Sequence, residues 1–219
     1  MSWDPIWEKV FYEQEWGKYP PECLIRFVAR NFYKKDRKNV KILEVGCGTG
    51  ANIWYISREG FDTYGIDASK TAIEKAEKRL KAESLNAHII LGDIEKLPYE
   101  DNFFDAVVDN GCLCCNSEEA TIKIIKEIKR VLKISGLFFS KTFTEKMYIG
   151  KKQNKISELE FDEIDDGPLY NKGFIRLVDE DSIKKIYGKI FKILSVDKLT
   201  QTINNREIII DDWIIISQK

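Results

Sequence analysis

Histidine is nearly absent from this 219-residue sequence, and long apolar runs are absent altogether. The single histidine, His88, is expected in the middle of a strand, with a structural role. No apolar stretch approaches the roughly 20 residues of a membrane-spanning helix, so no membrane association is expected. The five cysteines show no repeated C-x-x-C pair, so no metal site is predicted. An odd cysteine count behind a polar, aromatic N-terminus predicts reduced thiols and a cytoplasmic location.

An excess of charge of either sign is also missing. The chain has 35 Lys and Arg against 36 Asp and Glu, a formal net charge of -1. Nucleic acid is therefore not favoured as a partner, because such proteins bind mainly through a positive field. What the chain does have is 43% apolar residues, enough for one α/β domain of ordinary size. The oligomeric state is not indicated.

A glycine-rich turn lies between an apolar run and a predicted helix in residues 41–50, Lys-Ile-Leu-Glu-Val-Gly-Cys-Gly-Thr-Gly. Glycines let the backbone turn tightly and approach a ligand, and the following helix offers unpaired N–H groups. Read as Gly46-x-Gly48-x-x-Ala51, the stretch fits the dinucleotide fingerprint. Glu44 argues against that interpretation, because a carboxylate two residues before the turn would repel a pyrophosphate. The stretch could also be a tight turn that binds no ligand.

With Glu44 included, the stretch resembles motif I of the class I S-adenosylmethionine (SAM) methyltransferases. SAM has no phosphate and carries a sulfonium and an ammonium, which tolerate acidic surroundings. Asp67 follows the turn by about twenty residues, where an acidic residue can accept both ribose hydroxyls in SAM and NAD enzymes alike. The run Gly-Asp93-Ile94, followed by Leu-Pro and by residues 102–109, is similar to the middle motifs of the same family.

The resemblance implies roles for several residues. Asp93 would accept a hydrogen bond from the adenine amino group, since a carboxylate is an acceptor and the amine a donor. The backbone of Ile94 would flank the adenine ring, and Asp109 and Asn110 would hold the SAM ammonium or the methyl acceptor. The predicted cofactor site comprises Glu44, Gly46, Cys47, Gly48, Asp67, Ala68, Asp93, Ile94, Asp109 and Asn110.

The same resemblance, from about Val40 onward, implies the fold. We expect an α/β three-layer sandwich with a mostly parallel seven-stranded sheet and an antiparallel C-terminal pair of strands, 191–199 and 207–217. Because ligands bind outside the carboxyl ends of parallel strands, the scattered acidic residues should converge at one edge. The turn after the helix that precedes strand five is expected at Gly136.

A segment before the expected SAM-binding domain, 40–219, and an insertion within that domain have no counterpart in the motifs above. Residues 1–39 are predicted to form a helical segment, since Trp3, Trp7 and Phe11 share one helical face. These aromatics either cap the core or form a lid, with Tyr12 and Trp16 as candidates for contact with substrate. An insertion at about 144–173 lacks clear periodicity; it is either a substrate cover or a mobile surface segment.

The predicted function is methyl transfer from SAM to a small-molecule acceptor. Asp109-Asn-Gly-Cys stands where DNA amino-methylating enzymes have an Asp/Asn-Pro-Pro-Tyr-type motif, which disfavours nucleic-acid amines. No catalytic residue is identified, O, N and S acceptors all stay open, and Cys112, Cys114 and Cys115 are expected only to pack. Two alternatives remain: a SAM-binding regulatory module without turnover, and a small NAD(P)-dependent oxidoreductase, for which little chain is left to hold a hydride acceptor.

Overall fold

The computed structural model describes residues 3–219 and alternates strands with helices along most of its length. The helices are α1 (Ile6–Glu13), α2 (Glu22–Phe32), α3 (Ala51–Arg58), α4 (Lys70–Ala82), α5 (Glu118–Val131) and α6 (Glu180–Ile186). The strands are β1 (Lys41–Val45), β2 (Asp62–Asp67), β3 (His88–Leu91), β4 (Phe104–Asn110), β5 (Leu132–Phe143), β6 (Asn154–Lys155), β7 (Glu160–Asp162), β8 (Ile175–Arg176), β9 (Lys192–Ile203) and β10 (Ile208–Gln218).

The main sheet has seven strands in the order β3-β2-β1-β4-β5-β10-β9. The first five strands are parallel, and β10 pairs antiparallel with both β5 and β9. This confirms the fold class expected from the sequence. The strand order reverses between β1 and β4, and in open α/β sheets such a switch point opens a crevice at the carboxyl ends of the strands.

The central strands are buried on both faces, which explains their unbroken apolar runs. On β1, Leu43 and Val45 pack into one layer with α5 and α6, whereas Ile42 packs into the other with α2 and α3. Helix α5 places Ile124, Ile125, Ile128 and Val131, which recur at helical spacing, on its buried face. The two layers hold the sheet rigid beneath its carboxyl edge.

Serine side chains cap the starts of α4 and α5. The hydroxyl oxygen of Ser69 accepts a hydrogen bond from the backbone N–H of Ala72, and Ser117 accepts one from Ala120. These N-caps satisfy backbone donors that the first helical turn leaves unpaired.

Strand β5 corrects one sequence expectation. It begins at Leu132 and therefore already contains Gly136, where the turn was expected, and the left-handed residue in this stretch is Ser135 (φ 65°). Glycine is needed at Gly136 for a different reason: a Cβ there would lie 2.8 Å from the carbonyl oxygen of Lys133. Strand β9 likewise extends to Ile203, so its connection to β10 is shorter than expected.

The segment at 144–173 is more ordered than its sequence indicates. Strands β6 and β7 pair antiparallel, and β7 pairs with β8 just beyond the segment. A separate apolar cluster lies beneath them, formed by Met147, Phe161, Ile164, Leu169, Ile175 and Leu177. Very short strands with irregular spacing leave no period-2 signal, which is why the sequence did not reveal them. No helix among residues 3–219 is long and apolar enough to cross a membrane.

Candidate active site

The glycine turn after β1 has the backbone conformation that its sequence predicts. Gly46 and Gly48 have φ values of 65° and 51°, in the left-handed region that disfavours side chains. A Cβ on Gly46 would clash with the Sγ of Cys112, and one on Gly48 would lie 3.3 Å from the ring of Phe11. The turn is therefore closely enclosed by the loop after β4 on one side and by α1 on the other.

Glu44, at the end of β1, is a buried carboxyl with one oxygen unused. It is 2% exposed, and its Oε1 accepts a hydrogen bond from the Nδ2 of Asn52 at 2.5 Å. Its Oε2 has no hydrogen-bond partner among the described residues. Burial raises the pKa of Glu44 well above its usual value, and Asn52 offsets only part of that effect. A ligand that brought a cationic donor to Oε2 would restore the ionised form.

Asp67, at the end of β2, is fixed by two backbone donors. Its Oδ2 accepts from the N–H of Gly48 at 2.8 Å, and its Oδ1 accepts from the N–H of Ser69 at 2.9 Å. Burial nevertheless raises the pKa of Asp67. Each carboxylate oxygen has more than one acceptor position, so both can still receive a ligand hydroxyl.

A cavity opens at this edge of the sheet. Most of the predicted cofactor residues line it, namely Glu44, Gly46, Cys47, Gly48, Asp67, Ala68, Asp93, Ile94 and Asn110. They come from the ends of β1, β2 and β4 and from the loop after β3, so the structure brings together residues that are far apart in sequence.

Asp109 is the predicted cofactor residue that does not line the cavity. It is fully buried, and its Oδ1 accepts hydrogen bonds from the N–H groups of Cys112 and Leu113. Its Oδ2 accepts from the hydroxyl of Ser140 at 2.6 Å. Burial raises the pKa of Asp109 to about 6. Asp109 thus anchors the loop that follows β4, while its neighbour Asn110 is at the cavity wall.

The N-terminal segment forms one wall of the cavity. The rings of Trp7, Phe11 and Trp16 lie within 6 Å of one another and all three line the cavity. Tyr12, predicted as a lid residue beside Trp16, is 77% exposed and does not line it. The reason is helical geometry: Trp7 and Phe11 share one face of α1, and Tyr12 is turned about 100° away from Phe11.

This segment also contacts the 144–173 segment. The Nζ of Lys172 donates to the Oε1 of Gln14 and lies 4.8 Å from the ring centroid of Trp16. A Cβ on Gly173 would clash with the Oδ2 of Asp4. The two segments therefore meet beside the cavity.

Several residues that line the cavity were not predicted from the sequence as ligand contacts. Thr49 and Asn52 follow the glycine turn immediately, and each has a buried side-chain oxygen without a partner. Their position around the first turn of α3 is the signal that could have identified them. Asn116 also lines the cavity, and its carbonyl is held by the buried guanidinium of Arg176 at 3.1 Å. Nothing in the sequence marked that contact, because the partners are sixty residues apart.

The cysteines of the loop after β4 divide into two kinds. Cys112 and Cys115 line the cavity, whereas Cys114 is buried, and its Sγ lies 3.1 Å from the carbonyl oxygen of Gly111. Burial raises the pKa of Cys112 well above its usual value, so that thiol is neutral at physiological pH. Among residues 3–219, no group of three or more His, Cys, Asp and Glu side chains could hold a metal ion. His88 stacks on Tyr64, away from the cavity.

Comparison with known proteins agrees with the resemblance seen in the sequence. Residues 42–136, less than half of the chain, match the family model described as a methyltransferase domain. The fold class expected from the sequence is confirmed, and the match to a methyltransferase domain is consistent with the expected family.

Curated relatives agree with this family. The chain is 31% identical over 121 residues to a probable phthiotriol/phenolphthiotriol dimycocerosates methyltransferase 2 of Mycobacterium ulcerans, a match that covers 54% of this chain and 45% of that protein. The chain spans about half the length of the curated relatives it matches.

Solved structures show the same fold at lower identity. A SAM-dependent methyltransferase from Methanosarcina mazei superposes with a TM-score of 0.69 at 22% identity, over 82% of this chain and 92% of that one. The [4+2]-cyclase SpnF superposes with a TM-score of 0.65 at 20% identity, over 90% of this chain and 79% of that one. One fold therefore serves more than one reaction.

Proposed function

We propose that the protein transfers a methyl group from SAM to a small-molecule acceptor in the cytoplasm. The observation that carries the proposal is the unpartnered Oε2 of Glu44, buried beside the glycine turn. A buried acceptor without a partner is costly, and a cationic donor such as the SAM ammonium would satisfy it. The match to a methyltransferase domain indicates the class of reaction, and the unpartnered Oε2 of Glu44 fits the ammonium group of SAM.

The remaining lining residues fit the other parts of SAM. The carboxylate of Asp67 suits the ribose hydroxyls, and Asp93, whose Oδ1 accepts from the N–H of Glu95 at 3.0 Å, suits the adenine amino group. Thr49 and the N-terminal N–H groups of α3 suit the SAM carboxylate. No lysine or arginine among the described residues lines the cavity, so a dinucleotide pyrophosphate would lack a counter-charge.

The chain's own contribution to the chemistry is placement and exclusion of water. When bound, SAM supplies a methyl group made electrophilic by the sulfonium. The loop after β4 and the aromatic wall of Trp7, Phe11 and Trp16 enclose the site. Holding two reactants in line and excluding solvent can account for much of a methyl transfer. A small molecule suits this site because α1 and the loop after β4 enclose the glycine turn from two sides.

The test has two arms. Isothermal titration with S-adenosylhomocysteine (SAH), the demethylated product of SAM, should show binding, and NADH should not bind. Incubation with methyl-labelled SAM and a library of small O, N and S acceptors should then yield a labelled product. Binding of SAH without any product would favour the regulatory module. Binding of NADH instead of SAH would favour the oxidoreductase. The incubation with labelled SAM is necessary because one protein of this fold is a cyclase, so binding of the cofactor does not by itself establish methyl transfer.

A further inference from the structure

Part of the cavity wall comes from residues outside the cofactor motifs. We call this set of lining residues, Trp3, Asp4, Trp16, Cys115 and Asn116, the acceptor end. Asp4 lies against Gly173, and Cys115 packs on the apolar cluster of the 144–177 region. The acceptor end is therefore formed where the N-terminal segment meets the region after β5.

All the charge at the cavity wall has one sign. Among the described residues, the cavity is lined by the carboxyl side chains of Asp4, Glu44, Asp67 and Asp93 and by no lysine or arginine. Neighbouring cations are engaged elsewhere. Lys75 donates to the carbonyl oxygen of Phe11 at 2.6 Å, and Lys172 donates to Gln14. Arg176 is buried on Asn116 and Thr121. An anionic acceptor would therefore enter this cavity without a counter-charge.

The unsatisfied groups point to a ligand that donates hydrogen bonds. The Oε2 of Glu44 and the Oδ1 of Asn52 are buried acceptors without partners, in side chains that are 2% and 3% exposed. At the acceptor end, the Nδ2 of Asn116 already donates to the carbonyl oxygen of Cys112, which leaves its amide oxygen for a ligand. Acceptor atoms that a ligand can use are thus present both beside the glycine turn and at Asn116.

Once SAM has engaged three of the carboxylates, Asp4 remains for the acceptor. Its Oδ1 accepts from the N–H of Ile6 at 2.9 Å, and no hydrogen bond to its Oδ2 is present within residues 3–219. Trp3 and Trp16 line the same cavity as Asp4. Aromatic faces next to a carboxylate attract a positively charged nitrogen and an apolar body, and repel an anion.

We propose, as a consequence that rests on the proposed function, that the methyl acceptor is a small amine with an apolar or planar body. Asp4 selects its charge and the tryptophans hold its body. Carboxylated and phosphorylated acceptors are excluded by the same charges that favour the amine.

The experiment compares three probes of one size on the SAH-loaded protein by isothermal titration: 2-phenylethylamine, 2-phenylethanol and 3-phenylpropanoate. We expect the amine to bind at least tenfold more tightly than the carboxylate, with the alcohol between them. Asp4→Asn, which keeps the hydrogen bond to Ile6, should reduce that ratio at least threefold. Glu13→Gln removes a carboxylate from the same N-terminal segment but outside the cavity, and should leave the ratio unchanged.

The outcomes separate the two proposals. The SAH affinity of every variant is measured first, so that probes are compared at equal SAH occupancy. If SAH binds and the amine does not, or the carboxylate binds as tightly, the inference about the acceptor is wrong while the proposed function stands. A ratio that Asp4→Asn leaves unchanged also contradicts it. If SAH itself fails to bind, the proposed function fails and the inference with it.

Discussion

Among single residues, Asp67 has the largest expected influence on cofactor binding. Its carboxylate bridges the backbone of Gly48 in the turn after β1 and that of Ser69 at the start of α4. Asp67→Ala removes both bridges and the acceptor for the ribose hydroxyls, a loss of about 2–4 kcal/mol, or roughly 30- to 1000-fold in affinity. Isothermal titration of both proteins with SAH measures this loss of affinity.

The matched control lies at the other end of the same strand. Asp62 begins β2 and forms an ion pair with Lys41, on the side of the sheet away from the cavity. Asp62→Ala should change SAH affinity less than about threefold, since a partly exposed ion pair contributes little. Equal losses in the two variants would mean that Asp67 acts through strand stability rather than through the cofactor.

Asp109 should impose a pH dependence on stability. Its pKa is about 6 in the folded protein against an ordinary value of 3.8, so the folded state binds more protons between these two values. The contribution of Asp109 to stability is therefore fully present below pH 3.8 and is lost as the pH rises through 6. An asparagine in its place cannot titrate. We expect Asp109→Asn to become more stable relative to wild type by about 2–3 kcal/mol as the pH rises from about 4 to about 7.

Urea unfolding at several pH values measures this difference. Any loss of hydrogen-bond quality in Asp109→Asn adds a constant offset, so the slope with pH is the informative quantity. The control is Asp36→Asn, at an exposed carboxyl. A difference between wild type and Asp109→Asn that stays flat across the range would contradict the raised pKa.

At the scale of elements, helix α1 is attached to the cofactor site by one side chain. The Oε2 of Glu8 accepts from the hydroxyl of Ser69 at 2.6 Å, and its Oε1 accepts from the N–H and the hydroxyl of Thr71. A carboxylate at the N-terminus of α4 also interacts favourably with the helix dipole. The hydrogen bonds lower the pKa of Glu8, against the opposing effect of burial. The aromatic wall is thus linked to the loop that follows Asp67.

Glu8→Ala should loosen α1 and speed the release of SAH. Losing these contacts costs about 1–2 kcal/mol, which would raise the dissociation rate roughly 5- to 30-fold. Hydrogen exchange of residues 6–13 should become faster, and SAH should restore part of the protection. Glu13→Ala, on the same helix but exposed, is the control. If SAH release is unchanged while α1 exchanges faster, the segment does not cover the cofactor.

The sequence predicted elements with local signals better than elements without them. The strand, turn and helix around Gly46 depend on residues within a few positions of one another, and all three were predicted. Asp109 followed the family pattern, yet its side chain turns to Ser140 of the neighbouring strand. The small sheet of β6–β8 depends on pairings whose residues carry no periodic pattern, so sequence alone could not show it.

For the molecule as a whole, ligand binding should be visible as stability. A ligand that binds only the folded state at about 100 times its Kd adds about 2.7 kcal/mol to the free energy of unfolding. For a chain of this length, that raises Tm by roughly 5–10 °C. Differential scanning fluorimetry with SAH should show such a shift, and NADH at the same concentration should not. A shift with NADH alone would contradict the cofactor assignment.

The order of strands also bears on how the protein is synthesised. Strand β10 lies between β5 and β9, so the sheet cannot be completed until residue 218 has been made. Before that point β5 has an open edge over residues 137–143, and unpaired edges promote association between chains. We therefore expect nascent chains that stop before residue 208 to depend on chaperones, although they already contain every residue assigned here to SAM.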